Sequence, residues 1–373
     1  MNIVELYSGP TKEFEKIIET CDQVLSLHTL ITTIDKENFN DWINDNSGRN
    51  YTLVCYSEDI SSVKEHFLGM LPNLIRLLVE KECIIECYIH NPPLLLKEGI
   101  IRLFENDEYI LVKENTFEFN KITTQDITNL YEELNKAIIG QEQPILELVS
   151  TIYPLTAKYS NPVVLLFYGP AGVGKTETAK LLSKVLYNGK LLREQISMYQ
   201  TEAFASYLFG GSINENSFAK GLIGRETNVI LLDEFDKCPP GFFSAFYQFF
   251  DEGLFVDRNY KVNLKNSIII CTTNYGSLEE IKKQLGSPIF SRFDGFISFG
   301  DLSQEDKLKL IRIKYEKNLS LWDEEQQALI KKKNAIDFLT EHANKFINAR
   351  NIDNGIRSYM SKLLIQDVLN RNT

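Results

Sequence analysis

Residues Gly169–Thr176 read GPAGVGKT. The run before them, Val163-Val164-Leu165-Leu166-Phe167, is apolar and β-branched, the composition of a buried parallel strand. Glu177–Leu186 after them has helical spacing. Strand, glycine-rich loop and helix in that order make a phosphate-binding loop. Glycines let backbone N–H groups turn inward around phosphate oxygens, Lys175 reaches the β- and γ-phosphates, and Thr176 offers a hydroxyl to Mg²⁺. The helix N-terminus adds partial positive charge at the same place. The chain is read as binding ATP or GTP. Its expected nucleotide contacts are Gly169, Pro170, Ala171, Gly172, Val173, Gly174, Lys175, Thr176 and Glu177.

A second strand, Val229-Ile230-Leu231-Leu232, ends in Asp233-Glu234. Hydrolysis of a triphosphate needs one carboxylate to hold the Mg²⁺ shell and another to polarise the attacking water. Ligands bind at the carboxyl ends of parallel strands, so Asp233 suits the first task and Glu234 the second. An acidic pair after an apolar strand is also a common solvated strand end. Its place after the loop, about one further strand and crossover on, favours the functional reading. A third buried run, Ser267–Thr273, ends at Asn274. That residue either orients the hydrolytic water or touches the γ-phosphate, or it starts a turn before Tyr275-Gly276.

At 373 residues the chain is long enough for two or three domains. A net charge of −11 argues against wrapping nucleic acid through bulk positive charge. Cys21, Cys55, Cys83, Cys87, Cys238 and Cys271 lie mostly in apolar stretches without framework spacing, which suits reduced thiols. Cys83 and Cys87, with His90 nearby, lack a second ligand pair and are read as buried rather than metal-binding. Met1–Glu5 has no basic region leading into an apolar stretch, and no segment is long enough to span a bilayer. A soluble, cytoplasmic protein with no membrane partner is expected.

Residues 1–120 alternate short apolar runs with helical stretches. Strands are expected at Leu27–Ile34, Tyr51–Tyr56 and Cys83–His90, helices at Thr11–Cys21, Lys36–Ile43 and Ser61–Glu80. A β-meander is expected over Arg102–Glu105, Tyr109–Val112 and Phe117–Phe119, giving a small α/β domain. Residues 121–137 are expected to form a linker, its helix starting at Thr128. Over 138–300 strands and helices alternate, the pattern of a doubly wound parallel sheet. Within 301–373 the strands stop. Ser303–Asp306 has the form of a capping box, and Ile356, Met360, Leu363, Leu364 and Val368 stripe a last amphipathic helix. The expected fold class is α/β: a P-loop NTPase core, a C-terminal helical lid and a separate small α/β N-terminal domain.

Together these segments resemble the AAA+ ATPases, and within them the Clp unfoldase and disaggregase group, specifically the C-terminal ATPase module of its two-ring members, over roughly Ile138–Arg357. Ile139-Gly140-Gln141-Glu142 is similar to the adenine-side motif of that group. Tyr168–Lys180 is similar to its nucleotide loop, and Leu232–Lys237 to its acidic strand end. Pro288–Asp294 resembles the segment carrying an arginine finger, which implies that Arg292 serves the neighbouring subunit's site. Asn348-Ala349-Arg350 matches the lid sensor, implying that Arg350 meets the γ-phosphate in its own subunit. The resemblance implies ATP hydrolysis with Mg²⁺ at the interfaces of a homo-oligomer, a ring of six. It also implies remodelling of a protein client; residues 1–120, which resemble no recognised family, are expected to recruit it.

The chain departs from that group in two places. The family's substrate-gripping loop corresponds to Phe209–Phe218, which has no Gly-Tyr-Val-Gly and carries Glu215 among asparagines. Phe218 or Tyr207 either takes over the grip or packs in the core. Tyr275–Pro288 is a short connection without a peptidase-docking tripeptide. A second reading therefore stands beside the first: an ATP-gated assembly switch or scaffold that threads nothing. A nucleic-acid motor is disfavoured by Glu215.

Overall fold

In the computed structural model, which describes residues 2–34, 38–158, 161–198 and 202–371, strand β1 (Asn2–Ser8) buries Val4 and Leu6 inside a parallel sheet. Its neighbours are β4 (Ile84–His90) and β5 (Ile110–Thr116). With β2 (Val24–Ser26) and β3 (Tyr51–Cys55) the order is β2-β3-β4-β1-β5, and every pairing is parallel. Parallel pairing requires crossovers, which helices such as Thr11–Ile18, Glu65–Glu80 and Leu94–Phe104 provide.

Three local expectations are corrected here. Leu27–Ile34 is a helix, not a strand. Its β-branched content favours a strand, but Leu27 and Leu30 lie one turn apart and bury together, and packing overrides propensity. The β-meander is absent. Arg102–Phe104 closes a crossover helix whose Leu96, Ile100 and Phe104 bury at four-residue spacing. β5 runs parallel to β1 rather than folding back, and 117–119 carries no strand. Short apolar runs do not by themselves separate the two structures. The helix expected from Lys36 spans Phe39–Asn46, capped by the Asn38 side chain; Lys36 lies outside the described residues.

The chain's second compact unit is built on β6 (Val163–Tyr168), β7 (Leu192–Gln195), β8 (Val229–Asp233), β11 (Ile268–Thr272) and β12 (Gly295–Ser298), while a hairpin of β9 (Leu254–Val256) and β10 (Lys261–Asn263) belongs with the first. The order is β12-β6-β11-β8-β7, again all parallel. β6, β8 and β11 are apolar and buried almost throughout, without alternation, as strands covered on both faces must be. The supposed linker helix begins earlier than expected, at Thr124, because Thr123 and Asp126 close a capping box. It is no free linker: Ile127, Leu130 and Leu134 share a core with Leu148, Leu165 and Leu182.

Beyond Asp301 the unit is helical. Helices Gln304–Leu319, Glu324–Lys332, Ala335–Glu341 and Ala349–Arg371 enclose a core of their own, with Ile311, Tyr315, Ile330, Leu339, Ile356 and Met360. Ser303 and Asp306 form the expected capping box. The last helix's apolar stripe ends at Leu364, and Val368 is exposed.

The first unit comprises Met1–Asn120 together with Met198–Asn228 and Ser244–Lys265. Part of the span expected in the nucleotide core thus folds with the N-terminal residues. Ile213 joins the apolar core that contains Val4, Leu53 and Ile89. Phe218 is 1% exposed and packs edge-on against Phe249 and Phe255 at 5.7 and 4.9 Å. Lys220 Nζ donates to Ser61 Oγ at 2.6 Å. Cys55, Cys83 and Cys87 are buried free thiols. No helix among the described residues is long and apolar enough to cross a membrane.

Candidate functional site

β6, β11 and β8 lie side by side and parallel, so they release their carboxyl ends along one edge of the sheet. That edge is where such sheets open a crevice. A cleft of about 620 Å³ lies there, lined by Ile139, Ala171, Gly172, Val173, Gly174, Lys175, Thr176, Glu177, Asp233, Glu234, Asn274 and Arg350. Gly140, Gly169, Pro170 and Arg292 are not in its lining.

Two glycines of the loop are obligatory for different reasons. Gly169 has φ +121°, and a Cβ there would stand 2.1 Å from the Phe299 carbonyl oxygen, a backbone atom that cannot yield. Gly172 has φ +77°, and its Cβ would meet the Asn348 side chain at 2.8 Å. The last helix docks on the loop at that point. Asn348 Nδ2 donates to the Ala171 carbonyl at 2.9 Å, and Ala349 N donates to the Gly172 carbonyl at 3.2 Å. Asn348 Oδ1 also accepts from Asn351 N at 2.8 Å, so one side chain caps the helix and straps the loop. Arg350, the residue after the strap, enters the lining of the cleft.

Lys175 is 7% exposed. Its ammonium donates to the carbonyls of Gly169 at 2.6 Å and Pro170 at 2.8 Å, and to Asn274 Oδ1 at 3.1 Å. Burial pulls its pKa down to about 8, against an opposing pull from the nearby Asp233 and Asp236.

Asp233 is 6% exposed, with both carboxylate oxygens engaged. Oδ1 accepts from Thr272 Oγ1 at 2.5 Å. Oδ2 accepts from Arg193 Nη2 at 2.5 Å and Nε at 2.9 Å. Glu234 turns through a left-handed φ of +56°, its N–H donating to Thr272 Oγ1 at 3.0 Å. Its Oε2 accepts from Gln195 Nε2 at 3.4 Å. Arg292 lies half-buried after the short helix Ser287–Phe290, donating to the Pro288 carbonyl. Neighbouring Asp294 accepts from Val164 N at 2.8 Å and ties that segment to β6.

Sequence reasoning missed Arg193 and Gln195 of β7, and gave Thr272 no role. All three line the cleft. β7 reads Leu-Arg-Glu-Gln, and so short a polar strand offers no apolar run to detect.

Residues 161–371 match the AAA domain (Cdc48 subfamily). The chain is 28% identical to the chaperone protein ClpB 1 of Synechococcus elongatus over 76% of its own length and 36% of that protein. It is 27% identical to the chaperone protein ClpB of Prochlorococcus marinus over 83% of its own length and 40% of that protein. The chain thus spans well under half the length of these curated relatives. In fold it is similar to a closed-state cryo-EM reconstruction of Hsp104 with ATPyS and FITC casein. That likeness has a TM-score of 0.57 at 15% identity, covering 99% of this chain and 89% of the other.

A stability prediction follows from the depressed Lys175 pKa. Below about pH 8 the ammonium is charged in both folded and unfolded chains, and the full cost of burying it is present. From about pH 8 to the ordinary value of 10.5 the unfolded chain holds a proton that the folded chain has lost. Stability from this group therefore rises with pH across that window. Ligand-free Lys175→Met is expected to be more stable than wild type at pH 7, by a margin that shrinks by pH 9.5. Urea unfolding at fixed ionic strength measures it, and a margin constant with pH would contradict the assignment.

Proposed function

The chain belongs to the AAA domain family of ATPases (Cdc48 subfamily), and from that premise we propose that it hydrolyses ATP to remodel a protein client. One observation carries the proposal. Lys175, Asp233, Glu234, Asn274 and Arg350, on three strand ends and a lid helix, converge on one cleft beside the phosphate loop. On this reading ATP lies along Ala171–Thr176 with Ile139 at its base, and Lys175 exchanges its backbone carbonyls for phosphate oxygens. Thr176 and Asp233 are oxygen donors of the kind a hard divalent cation takes, which suits Mg²⁺. When bound, that ion neutralises charge on the β- and γ-phosphates. Glu234 accepts the proton of the attacking water and Asn274 orients it. Arg350 meets the γ-phosphate. Arg292, absent from its own chain's cleft, is assigned to the cleft of the next copy. A ring of six copies is the assembly that the Clp resemblance implies, and on this reading the first unit recruits the client in the cytoplasm.

A finger supplied from next door makes turnover depend on assembly. Lys175→Ala and Arg292→Ala should each abolish ATP turnover, the latter by about 10³–10⁵-fold. Mixed in equal amounts, they should recover about a quarter of wild-type turnover, since half the clefts are intact and half of those meet an intact finger. Phosphate release on mixing reads this out. No recovery would rule out sharing of the site between copies.

A specific observation favours the second reading, an ATP-gated switch without threading. The segment corresponding to the family's gripping loop is held in the first unit: Ile213 is 3% exposed in its core and Phe218 is fully packed. A loop so anchored must detach before it can grip. Ile213→Cys reports this through its rate of thiol labelling. Protection that persists with ATP supports the switch, and labelling accelerated by ATP supports threading.

A further inference from the structure

The Asp233 carboxylate is nearly buried, and a buried carboxylate needs a counter-cation. Lys175 does not bond to it, its three donor contacts going to the Gly169 and Pro170 carbonyls and to Asn274. Arg193 does, placing two N–H groups on one oxygen, Oδ2, while Thr272 holds Oδ1. Charge-assisted bonds of this length are the strong ones. Yet the arginine side chain is 41% exposed and stands on β7, which among the described residues pairs on one side only, with β8. It is bonded firmly but not enclosed, so it can withdraw without repacking the core.

An Mg²⁺ ion whose shell includes Asp233 draws on the carboxylate that this guanidinium already holds. Two cations then compete for one oxygen. We propose that Arg193 is the exchangeable counter-cation of Asp233: it orients the carboxylate before nucleotide arrives and yields to Mg²⁺, thereby setting the Mg²⁺ concentration at which nucleotide binds tightly. This makes Arg193 a positioning residue, and the inference rests on the ATP reading above.

The test uses the full chain and a fluorescent ADP analogue, titrated in EDTA and across a series of Mg²⁺ concentrations. Arg193→Gln removes the charge and keeps a donor only at the position of the arginine Nε. It is expected to lower the Mg²⁺ midpoint by about three- to tenfold, the effect of a partly exposed charged pair. Affinity in EDTA should stay within about twofold of wild type, because on this account the guanidinium contributes nothing to phosphate binding. Arg193→Lys keeps the charge and the fold but loses the second hydrogen bond, so its midpoint should fall at or slightly below wild type. Arg193→Ala, which also removes the charge and should lower the midpoint likewise, decides the matter if Arg193→Gln does not fold. A midpoint unchanged in Arg193→Gln, or raised in any variant, overturns the proposal. So does an equal loss of affinity in EDTA, which would make Arg193 a phosphate ligand. If wild-type protein fails to bind the analogue even with Mg²⁺, the ATP reading itself fails, and that failure shows without any variant.

Discussion

The Thr272 hydroxyl donates to the Asp233 carboxylate and accepts from the Glu234 backbone N–H. Through that one group the carboxyl ends of β8 and β11 are fixed relative to each other. Glu234 leaves β8 in a left-handed conformation that costs a non-glycine residue about 1 kcal/mol or more. The bond from Thr272 helps hold it there. Two residues further along the chain Asn274 accepts from Lys175, so the same strand end also reaches the phosphate loop. Loop, acidic pair and polar strand end thus stand in one frame. The parallel pairing of β6, β11 and β8 sets that frame before any ligand is present.

Within the frame the charged groups satisfy one another. Lys175 is turned onto carbonyls, Asp233 onto Arg193 and Glu234 towards Gln195. Each is a polar group that burial would otherwise penalise. The contacts offset part of that penalty, though not all of it at Lys175, and each is one that a phosphate, a metal ion or a water molecule has to replace.

The phosphate loop is legible in sequence because its chemistry demands particular residue types at contiguous positions. Asp233-Glu234 and Asn274 are legible because each follows a strongly apolar run. Arg193 is not, since its partner lies forty residues away and its strand has a single apolar residue. Asn348 shows a similar limit: as one residue of a lid motif it is readable, but its strap onto Ala171 exists only in three dimensions. The fold divides the same way. The buried parallel strands announce themselves, whereas Leu27–Ile34 and Arg102–Phe104 have compositions that suit either periodicity. Ile213 and Phe218 are recognisably apolar, but nothing in their local sequence says which core receives them.

That last feature bears on how the polypeptide is made. The first unit draws its core from Val4 and from Ile213 alike, and its remaining segment ends at Lys265. Every other buried member of that core lies between Val4 and Ile110, so a ribosome delivers nearly all of it early and Ile213 arrives as a late addition. A contact so far apart in sequence forms slowly, and until it does the sheet of β1 to β5 lacks only the cover that Ile213 adds. The amino-terminal sheet can therefore assemble ahead of the segment that later docks Ile213 into it.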